Sequence, residues 1–257
     1  MKFEFYKYQG TGNDFVIIDN RNNEFPSKDT ELISQLCDRK FGVGADGLLL
    51  LEENSNVDFT MVYYNADGEL GSMCGNGGRC IVHFANFLEI IDSQTTFKAV
   101  DGLHEATINE GIVSLKMNNV EDVEVASDYV FMDTGSPHHV ALVSNLTTYN
   151  VEKEGAFLRN NTYGKEGSNI NFVEPISENI FAVRTYERGV EAETLSCGTG
   201  VTAVAIALSE TNKTDSNNIT LRTQGGDLKV SFNKTENGYE NVYLIGPATQ
   251  VFKGIWE

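Results

Sequence analysis

The chain has 257 residues, 40% hydrophobic and 22% charged, and its 37 acidic against 19 basic residues give it a net charge of −18. This composition is typical of a folded globular protein, and the acidic excess argues against a nucleic-acid or anionic-membrane partner. No stretch reaches the ~20 apolar residues of a membrane helix, and the N-terminus lacks the apolar segment of a secretory signal. We therefore expect a cytoplasmic protein with reduced cysteines.

The first half of the chain begins with strand-like runs and a predicted helix from Lys28 to Arg39, with Ser27 as its N-cap. A glycine-rich string, GVGADG at Gly42–Gly47, follows this helix and precedes the apolar run LLLLEE. It matches the dinucleotide-binding pattern GxGxxG, but that motif needs a strand before it and a helix after it. Because the order here is the reverse, we predict a glycine-rich turn.

A second helix is predicted from Arg79 to Ile91, and it is apolar on all sides. Since it is too short to cross a membrane, protein must surround it. The strand-like run FTMVYYN comes before it and the run FKAVDG comes after it. This order indicates a curled sheet wrapped around a buried central helix.

The same order of features occurs twice. The motif TGNDFVII begins at Thr11 and TGSPHHVALV at Thr134, and 63 residues after each start comes a cysteine, Cys74 or Cys197, followed by Gly-polar-Gly. An apolar helix follows each cysteine, the second one predicted from Val201 to Leu208. The TG motif, the cysteine, the Gly-polar-Gly turn and the apolar helix recur in one order, which is unlikely to arise by chance. The pattern therefore indicates two homologous domains related by a pseudo-twofold axis.

The predicted fold class is therefore α/β (α+β), with one curled sheet and one central helix in each domain. We expect the boundary near Met117–Val120, which gives domains 1–118 and 119–257. It stays open whether the C-terminal tail, about residues 247–257, packs back on the first domain.

Cys74 and Cys197 differ from the other cysteines because each lies where a strand passes into a buried helix. A thiol there is close to the positive end of the helix dipole, which lowers its pKa. The exposed N–H groups of Gly75–Asn76 and Gly198–Thr199 are suited to bind an anion such as a carboxylate. The two loops thus predict a pair of reactive thiols, each beside an anion site.

The remaining cysteines and histidines have no readable functional pattern. Cys37 and Cys80 are interpreted as small apolar core residues, and zinc is discounted because Cys74 and Cys80 are too far apart for a CxxC pair. His83 and His104 lack partners at readable spacing, and no GxSxG motif accompanies the pair His138–His139.

Equivalent loops of two duplicated domains face each other when the domains pack about a twofold axis. Two thiols on opposite sides of one ligand form an acid–base pair, in which one removes a proton and the other returns one to the opposite face. This inverts a stereocentre, and a carboxylate held at the helix N-termini stabilises the carbanion. The sequence shows no convincing nucleotide motif, metal cluster or pyridoxal lysine, so we expect no cofactor and no metal.

The motifs GTGNDFVIID, YNADG, MCGNGGR, SNINFVE, YERG and ETLSCGTG together resemble the diaminopimelate epimerase family, from Gly10 to about Gly226. The resemblance implies two α/β domains, each a β-barrel-like sheet around a central helix. It implies a cofactor-independent isomerase that interconverts LL- and meso-diaminopimelate for lysine and peptidoglycan synthesis. The implied partner is this small molecule, with neither nucleic acid nor membrane, and a homodimer is left open.

The resemblance also implies roles for residues, position by position. Cys74 and Cys197 match the acid–base pair, and His138 and Glu187 complete the implied catalytic set, with His138 expected near Cys74 and Glu187 near Cys197. Arg188 suits a carboxylate because a guanidinium can form two parallel hydrogen bonds with it. The implied substrate-binding positions are Asn13, Asn65, Gly75, Asn76, Ser136, Asn169, Glu187, Arg188, Gly198 and Thr199.

Three positions depart from the family pattern. Ser136 stands where the family has Asn before Pro-His, so we expect its shorter side chain to reach substrate through water. Gly47 stands where some members have Gln, and we expect that contact to be absent. The loop ERGVEAET, before Cys197, is one residue longer than the form ERGxGET.

Two alternatives stay open. One is a related cofactor-independent racemase or isomerase of the same fold, which the asparagines and Arg188 argue against because they favour a substrate with a second zwitterionic end. The other is a thiol redox switch, with Cys74 and Cys197 forming a disulfide. A redox role leaves the two anion sites unexplained.

Overall fold

The structure is a computed structural model that describes residues 2–257. Residue contacts divide it into two compact units. The first comprises the described residues up to Leu115 together with Gly246–Glu257, and the second comprises Lys116–Ile245. The units therefore divide between residues 115 and 116, where the sequence predicted a boundary between 118 and 119.

The first unit contains the helices α1 (Thr30–Cys37) and α2 (Gly75–Phe87). Its strands, in chain order, are β1 (Phe3–Gly10), β2 (Asn13–Asp19), β3 (Gly47–Glu52), β4 (Phe59–Asn65), β5 (Gln94–Ala99), β6 (Gly102–Asn109) and β7 (Ile112–Lys116), with β17 (Thr249–Trp256) from the C-terminus. Strand β17 pairs antiparallel with β1. The C-terminal tail is thus part of the first unit.

The second unit contains the helices α3 (Val151–Asn161) and α4 (Gly198–Glu210) and a short 3₁₀ helix at Leu146–Thr148. Its strands are β8 (Val123–Val125), β9 (Val130–Asp133), β10 (Pro137–Leu142), β11 (Asn169–Ser177), β12 (Ile180–Glu187), β13 (Ala192–Thr194), β14 (Asn218–Thr223), β15 (Gly226–Thr235) and β16 (Gly238–Pro247).

The two units share one strand order. In the first, β2 pairs parallel with β3, β3 antiparallel with β4, β4 parallel with β5, and β5 and β6 continue antiparallel to β7. In the second, β10, β11, β12, β14, β15 and β16 pair in the same sequence of directions. The repeat read from the sequence thus corresponds to a repeated topology.

Each unit wraps its strands around one central helix. Helix α2 packs against β1, β2, β3, β4, β6 and β17, and α4 packs against β9, β10, β11, β12, β14 and β15. Residues Gly75–Val82 of α2 and Val201–Leu208 of α4 are buried. The predicted α/β class, with a sheet around a buried helix in each half, is confirmed.

The prediction for the first helix was wrong at its start. The N-cap is Asp29, whose carboxylate accepts a hydrogen bond from the Leu32 N–H at 3.0 Å. Ser27 lies in a turn in which the Asp29 N–H donates to the Pro26 carbonyl oxygen at 2.9 Å. This turn delays the helix to Thr30–Cys37, two residues shorter at each end than predicted.

The other helices also differ from their predicted extents. Helices α2 and α4 begin at Gly75 and Gly198, before the predicted Arg79 and Val201, because the glycine-rich loops themselves form the first helical turns. Helix α3 was not predicted, since only Val151 and Gly155 of its residues are buried and its apolar pattern is weak. Within residues 2–257, no helix combines the length and hydropathy needed to cross a membrane.

Candidate active site

Cys74 is the N-cap of α2, so it lies at the start of the buried helix, as the sequence predicted, although that helix begins four residues before the predicted Arg79. Its Sγ lies 3.5 Å from Oδ1 of Asn13, the first residue of β2. Gly75 and Asn76 begin the first turn of α2, at the positive end of the helix dipole. The first unit therefore brings together four of the predicted site residues at one helix N-terminus, in a geometry suited to an anion.

Two asparagine amides connect this site to a buried cation and a carboxylate. Arg79, fully buried on α2, donates from Nη1 to Oδ1 of Asn76 at 3.0 Å. Nδ2 of Asn76 donates to Oδ1 of Asn13 at 3.4 Å, and Nδ2 of Asn13 donates to Oδ2 of Asp46 at 2.7 Å. Both amide dipoles are therefore aligned between Arg79 and Asp46, which holds the oxygen of Asn13 toward Cys74.

Asp46 belongs to GVGADG, which lies between α1 and β3 up to Asp46, as predicted for a turn, and its last residue, Gly47, begins β3. Nη2 of Arg39 contacts Asp46 and Asp14 at 2.7 Å each, and Nζ of Lys7 contacts Asp14 at 2.6 Å. Burial opposes ionisation of Asp14, but hydrogen bonds from Arg39 and Lys7 outweigh it and lower the pKa of Asp14 to about 2. This ionic network anchors the turn that holds Asn13.

Asn65 and Gly47 lie opposite each other on β4 and β3. The side chain of Asn65 is exposed at the end of its strand. A Cβ on Gly47 would lie 2.4 Å from the carbonyl oxygen of Tyr64 and 2.5 Å from the ring of Tyr63. The backbone here thus leaves no room for the glutamine that some family members carry, which explains the departure at Gly47.

Cys197 is the N-cap of α4 and is buried, with 7% of its surface exposed. Its Sγ lies 3.5 Å from Oγ1 of Thr199, in the first helical turn with Gly198. A Cβ on Gly200 would lie 2.6 Å from Oδ1 of Asn171 and 3.3 Å from the Cys197 sulfur. The second glycine of the motif is therefore required by close packing behind the thiol.

Ser136 lies at the centre of the second unit's site. Its Oγ is 3.0 Å from Nε2 of His138, 3.1 Å from Nδ2 of Asn169 and 3.4 Å from Oγ1 of Thr199. The structure therefore brings four predicted site residues into one hydrogen-bonded group that adjoins Cys197. All three of these contacts of the Ser136 hydroxyl are with protein groups.

His138 is fully buried, and burial, together with the charge of Arg188, lowers the pKa of His138 to about 3. The ring is therefore uncharged at neutral pH. Its Nδ1 lies 3.2 Å from Nδ2 of Asn171. The neighbouring His139 is also buried, and burial lowers its pKa to about 4, although Asp128 opposes the shift.

Arg188 follows the end of β12, and two hydrogen bonds fix its position. Its N–H donates to Oδ1 of Asn169 at 2.9 Å, and its Nη1 donates to the carbonyl oxygen of Glu166 at 3.0 Å. Together with Asp133 and Pro137 it lines an open cavity of about 470 Å³. Glu187 precedes Arg188 in the chain, is the last residue of β12, and is half-buried.

The other cysteines match their predicted interpretation as core residues. Cys37 and Cys80 are buried, and burial raises the pKa of each thiol to about 12. None of the four cysteines is part of a disulfide in the structure. Among residues 2–257, no cluster of His, Cys, Asp and Glu is arranged to hold a metal ion.

Sequence reasoning missed several residues that support the site. Asp46 and Arg79 lie inside the motifs GVGADG and MCGNGGR, but no sequence pattern distinguishes them from the residues around them. Asn171 was detectable, because it follows Asn169 by two residues and side chains at that spacing share one face of a strand. Thr134, whose Oγ1 donates to the Thr199 carbonyl oxygen at 2.9 Å, opens the repeated motif itself.

Comparisons with known sequences point to one family. A sequence model of the family described as diaminopimelate epimerase matches residues 5–121 and 130–251. The diaminopimelate epimerase of Flavobacterium psychrophilum is 60% identical over 250 residues, covering 96% of this chain and 98% of the relative. That of Chlorobaculum tepidum is 41% identical over 255 residues, covering 95% and 98%.

Solved structures share the fold at much lower identity. A phenazine biosynthesis protein of the PhzF family from Bacillus anthracis superposes with a TM-score of 0.81 at 13% identity, covering 100% of this chain and 99% of that one. A hydroxyproline epimerase from Agrobacterium vitis gives a TM-score of 0.70 at 13% identity, covering 99% and 92%. At these identities the likeness establishes the two-domain fold.

Proposed function

We propose a function that proceeds from one fact: the chain belongs to the diaminopimelate epimerase family. It is accordingly an isomerase that interconverts LL- and meso-diaminopimelate, a step of lysine biosynthesis that also supplies a peptidoglycan precursor. The proposal is that it does so without a cofactor, through two cysteines.

In the proposed reaction, the Sγ of one cysteine, as thiolate, removes the α-proton of diaminopimelate. The Sγ–H of the other delivers a proton to the opposite face, so that the α-carbon is inverted and the charges of the two sulfurs are exchanged. The N–H groups of Gly75–Asn76 and Gly198–Thr199 hold the α-carboxylate and stabilise the charge of the carbanion. No oxidation or reduction is involved.

One observation carries this proposal. Cys74 and Cys197 occupy the same place in their units, as the N-cap of a buried 13-residue helix whose first turn contains glycines. Cys37 and Cys80, which are also buried, have raised thiol pKa values and no such position. A duplicated thiol at two duplicated anion sites is what a two-base inversion requires.

Substrate recognition is assigned to the polar side chains around these loops. Arg188, Asn65 and Asn169 are proposed to bind the second head group of diaminopimelate, and Glu187 its reacting ammonium group. Asn13 would contact substrate beside Cys74. A half-buried arginine without its carboxylate is costly, so a short amino acid lacking that group is expected to be rejected.

For its setting, we propose a cytoplasmic enzyme whose partner is its small-molecule substrate. The net charge of −18 favours neither nucleic acid nor an anionic membrane as a partner.

The test is isotope exchange in D2O under reducing conditions. Purified enzyme with LL-diaminopimelate is expected to produce the meso isomer with one solvent deuterium at the inverted α-carbon, detected by mass spectrometry after chiral chromatography. Cys74→Ala and Cys197→Ala are expected to produce none, whereas Cys37→Ala, the matched control, retains activity. Efficient racemisation of alanine or proline, with no turnover of diaminopimelate, would support the related racemase instead.

If mild oxidation of the two cysteines raised the activity of the protein instead of abolishing it, the result would support the redox switch. The epimerase proposal requires both thiols reduced, so mild oxidation can only inactivate it.

A further inference from the structure

Two loops of the second unit contact the same arginine. One loop connects α3 to β11 (residues 162–168), and the other connects β12 to β13 (residues 188–191). We propose that Arg159 and Glu191, which form an ion pair between these loops, are positioning residues that hold the Arg188 guanidinium in place for the second carboxylate of diaminopimelate. The inference rests on the proposed function and adds two residues that determine its substrate specificity.

Arg159 lies in the last turn of α3 and contacts both loops with its guanidinium. Its Nε donates to Oε1 of Glu191, in the β12–β13 loop, at 2.9 Å. Its Nη1 donates to the carbonyl oxygen of Gly164, in the α3–β11 loop, at 2.8 Å. The side chain of Arg159 is 16% exposed, so the ion pair is screened less than one on the open surface. One side chain therefore fixes the distance between the two loops.

The α3–β11 loop is shaped to accept this guanidinium. Gly167 has a φ of +65°, which a residue with a side chain rarely adopts. A Cβ at this position would also lie 2.8 Å from both Cζ and Nη1 of Arg159. A side chain on Gly167 would therefore displace the guanidinium from its contact with the Gly164 carbonyl oxygen.

Glu191 has a backbone conformation that its contacts have to maintain. Its φ is +57°, in the left-handed region that residues other than glycine and asparagine rarely adopt. Its carboxylate accepts from the Gly189 N–H at 3.1 Å and from the Tyr186 hydroxyl at 3.4 Å, as well as from Arg159. Burial opposes ionisation, but the hydrogen bonds from Gly189 and Arg159 outweigh it and lower the pKa of Glu191. A strained residue that three partners hold in place indicates a functional constraint.

The β12–β13 loop is also where the sequence departs from the form ERGxGET. The fifth residue of that form is glycine, which adopts a positive φ without strain, and the fifth residue here is Glu191. The carboxylate that pairs with Arg159 is thus a feature of the longer loop of this chain.

The Arg188 guanidinium is held between the two loops. The backbone N–H of Arg188 donates to Oδ1 of Asn169 at 2.9 Å, which fixes its main chain. Its Nη1 donates to the carbonyl oxygen of Glu166 at 3.0 Å, which fixes its guanidinium. Because Arg188 belongs to the β12–β13 loop and Glu166 to the α3–β11 loop, this second bond spans the two loops that Arg159 joins. A displacement of one loop relative to the other would therefore break it.

A guanidinium that is fixed in advance binds a carboxylate at a lower cost. It has five N–H donors, so the bond to Glu166 leaves others for a ligand in the open cavity that Arg188 lines. Its side chain is ordered when the protein folds and not when substrate binds, which lowers the entropic cost of binding. The second head group of diaminopimelate does not react, so the contact stabilises substrate and transition state equally. Its loss should raise KM and leave kcat unchanged.

The experiment compares the steady-state kinetics of the unmodified enzyme, Arg159→Met and Glu191→Asn with LL-diaminopimelate. KM is expected to rise about tenfold in both variants, with kcat within about twofold of the unmodified enzyme. L-Lysine, which lacks the second carboxylate, is the probe for the rest of the site. Its inhibition constant is expected to change by less than about twofold, whereas a general loosening of the site would raise this constant and KM together.

The two variants separate position from charge. Methionine fills part of the space of Arg159 without its charge or donors. Asparagine tolerates the left-handed backbone of Glu191, but it lacks the charge and is one methylene shorter. By charge alone, loss of Arg159 would weaken the attraction of a carboxylate and loss of Glu191 would strengthen it. A rise in KM in both variants is therefore an effect of position, and the double variant should be no worse than either single one, because both remove the same contact.

Arg184→Met is the matched control. The side chain of Arg184 is 18% exposed and pairs with Glu193, and its Nη1 donates to the carbonyl oxygens of Leu146 and Tyr149. All of these partners lie outside the two loops. Urea unfolding should show a loss of stability similar to that of Arg159→Met, while KM stays within about twofold of the unmodified enzyme.

Hydrogen–deuterium exchange of the ligand-free enzyme supplies a measurement that needs no substrate. Peptides that cover residues 162–168 and 188–191 are expected to exchange faster in Arg159→Met and Glu191→Asn, and at the original rate in Arg184→Met. Exchange that stays unchanged in both loop variants would overturn the inference.

The inference would also be overturned by an unchanged KM, by a rise in KM in only one of the two variants, or by an equal rise in Arg184→Met. If Arg159→Met fails to fold, Glu191→Asn decides. Absence of diaminopimelate turnover by the unmodified enzyme would count against the proposed function itself, whereas normal turnover with an unchanged KM in the variants would count against this inference alone.

Discussion

Asn13 and Asp46 are joined by a hydrogen bond of 2.7 Å from Nδ2 to Oδ2, although 33 residues separate them in the chain. Because a carboxylate can only accept, the bond determines that the amide oxygen of Asn13, and not its nitrogen, faces Cys74. A residue of the glycine-rich turn thus controls which atom the thiol meets.

We expect Asp46→Asn to lower kcat/KM for diaminopimelate about tenfold, because the loss of one charge-assisted hydrogen bond costs on the order of 1–2 kcal/mol and frees the amide of Asn13 to turn. Steady-state kinetics on both isomers measure this. Asp227→Asn, which breaks an exposed ion pair with Arg222 in the other unit, is the control. Equal kinetics for the two variants would mean that Asp46 does not position Asn13.

The two cysteines are expected to act as one catalytic unit. Cys74→Ala and Cys197→Ala should each reduce epimerisation by several orders of magnitude, and the double variant should be no less active than either single one, because residues that act together are not additive. Chiral chromatography in both directions provides the rates. Near-normal epimerisation by either single variant would contradict the two-base mechanism.

Acid stability should depend on Asp14. Its folded-state pKa, about 2, lies below the ordinary value of 3.8, so its ionic contacts add stability that is complete above the ordinary value and is lost as pH falls toward about 2. We expect Asp14→Asn to lower the free energy of unfolding by about 2 kcal/mol at neutral pH. Urea unfolding should show the difference in free energy of unfolding between variant and wild type narrowing as pH falls from about 4 toward about 2. A constant difference would refute the linkage.

His138 and His139 should make the fold less stable in mild acid. Their folded-state pKa values, about 3 and about 4, lie below the ordinary 6.5, so the unfolded chain binds protons first. The contribution of the two neutral rings to the free energy of unfolding is fully present above pH 6.5. It falls as pH drops below 6.5, by up to about 1.4 kcal/mol per pH unit for each ring. NMR should find neither ring titrating near pH 6.5, and His139→Gln should flatten the pH dependence of urea unfolding. A ring that titrates at its ordinary value would contradict this.

Arg188→Ala should reduce kcat/KM for diaminopimelate at least about a hundredfold, because a desolvated carboxylate of the substrate then lacks its partner. Arg188→Lys should restore only part of it, since an ammonium cannot form two parallel bonds. Alanine and proline are expected not to be substrates of the wild type. Arg222→Ala, exposed in the same unit, is the control; a similar loss in both would assign the effect to stability rather than to recognition.

Much of the site was predictable because it lies in local sequence. The positions of Cys74 and Cys197 follow from a strand, a glycine-rich loop and an apolar helix adjacent in the chain, and the repeat made their equivalence visible. The fold class followed from the same apolar patterns, since a helix that is apolar on all sides has to be enclosed. The N-cap of α1 was predicted at Ser27 but is Asp29. The short turn before the helix leaves no mark in the apolar periodicity, so the sequence pattern could not reveal it.

Side-chain partnerships across strands depended on the tertiary structure. Asp46 meets Asn13 only when β2 and β3 pair, and Asn171 meets His138 only when β10 and β11 pair in register. Hydrogen-bond direction depends on which atom a neighbour distant in sequence presents, and burial of His138 depends on the whole sheet. The sequence by itself therefore determined the elements, the repeat and the two thiols, because these arise from neighbouring residues, whereas the polarity of the groups around each thiol was decided by contacts that exist only after folding.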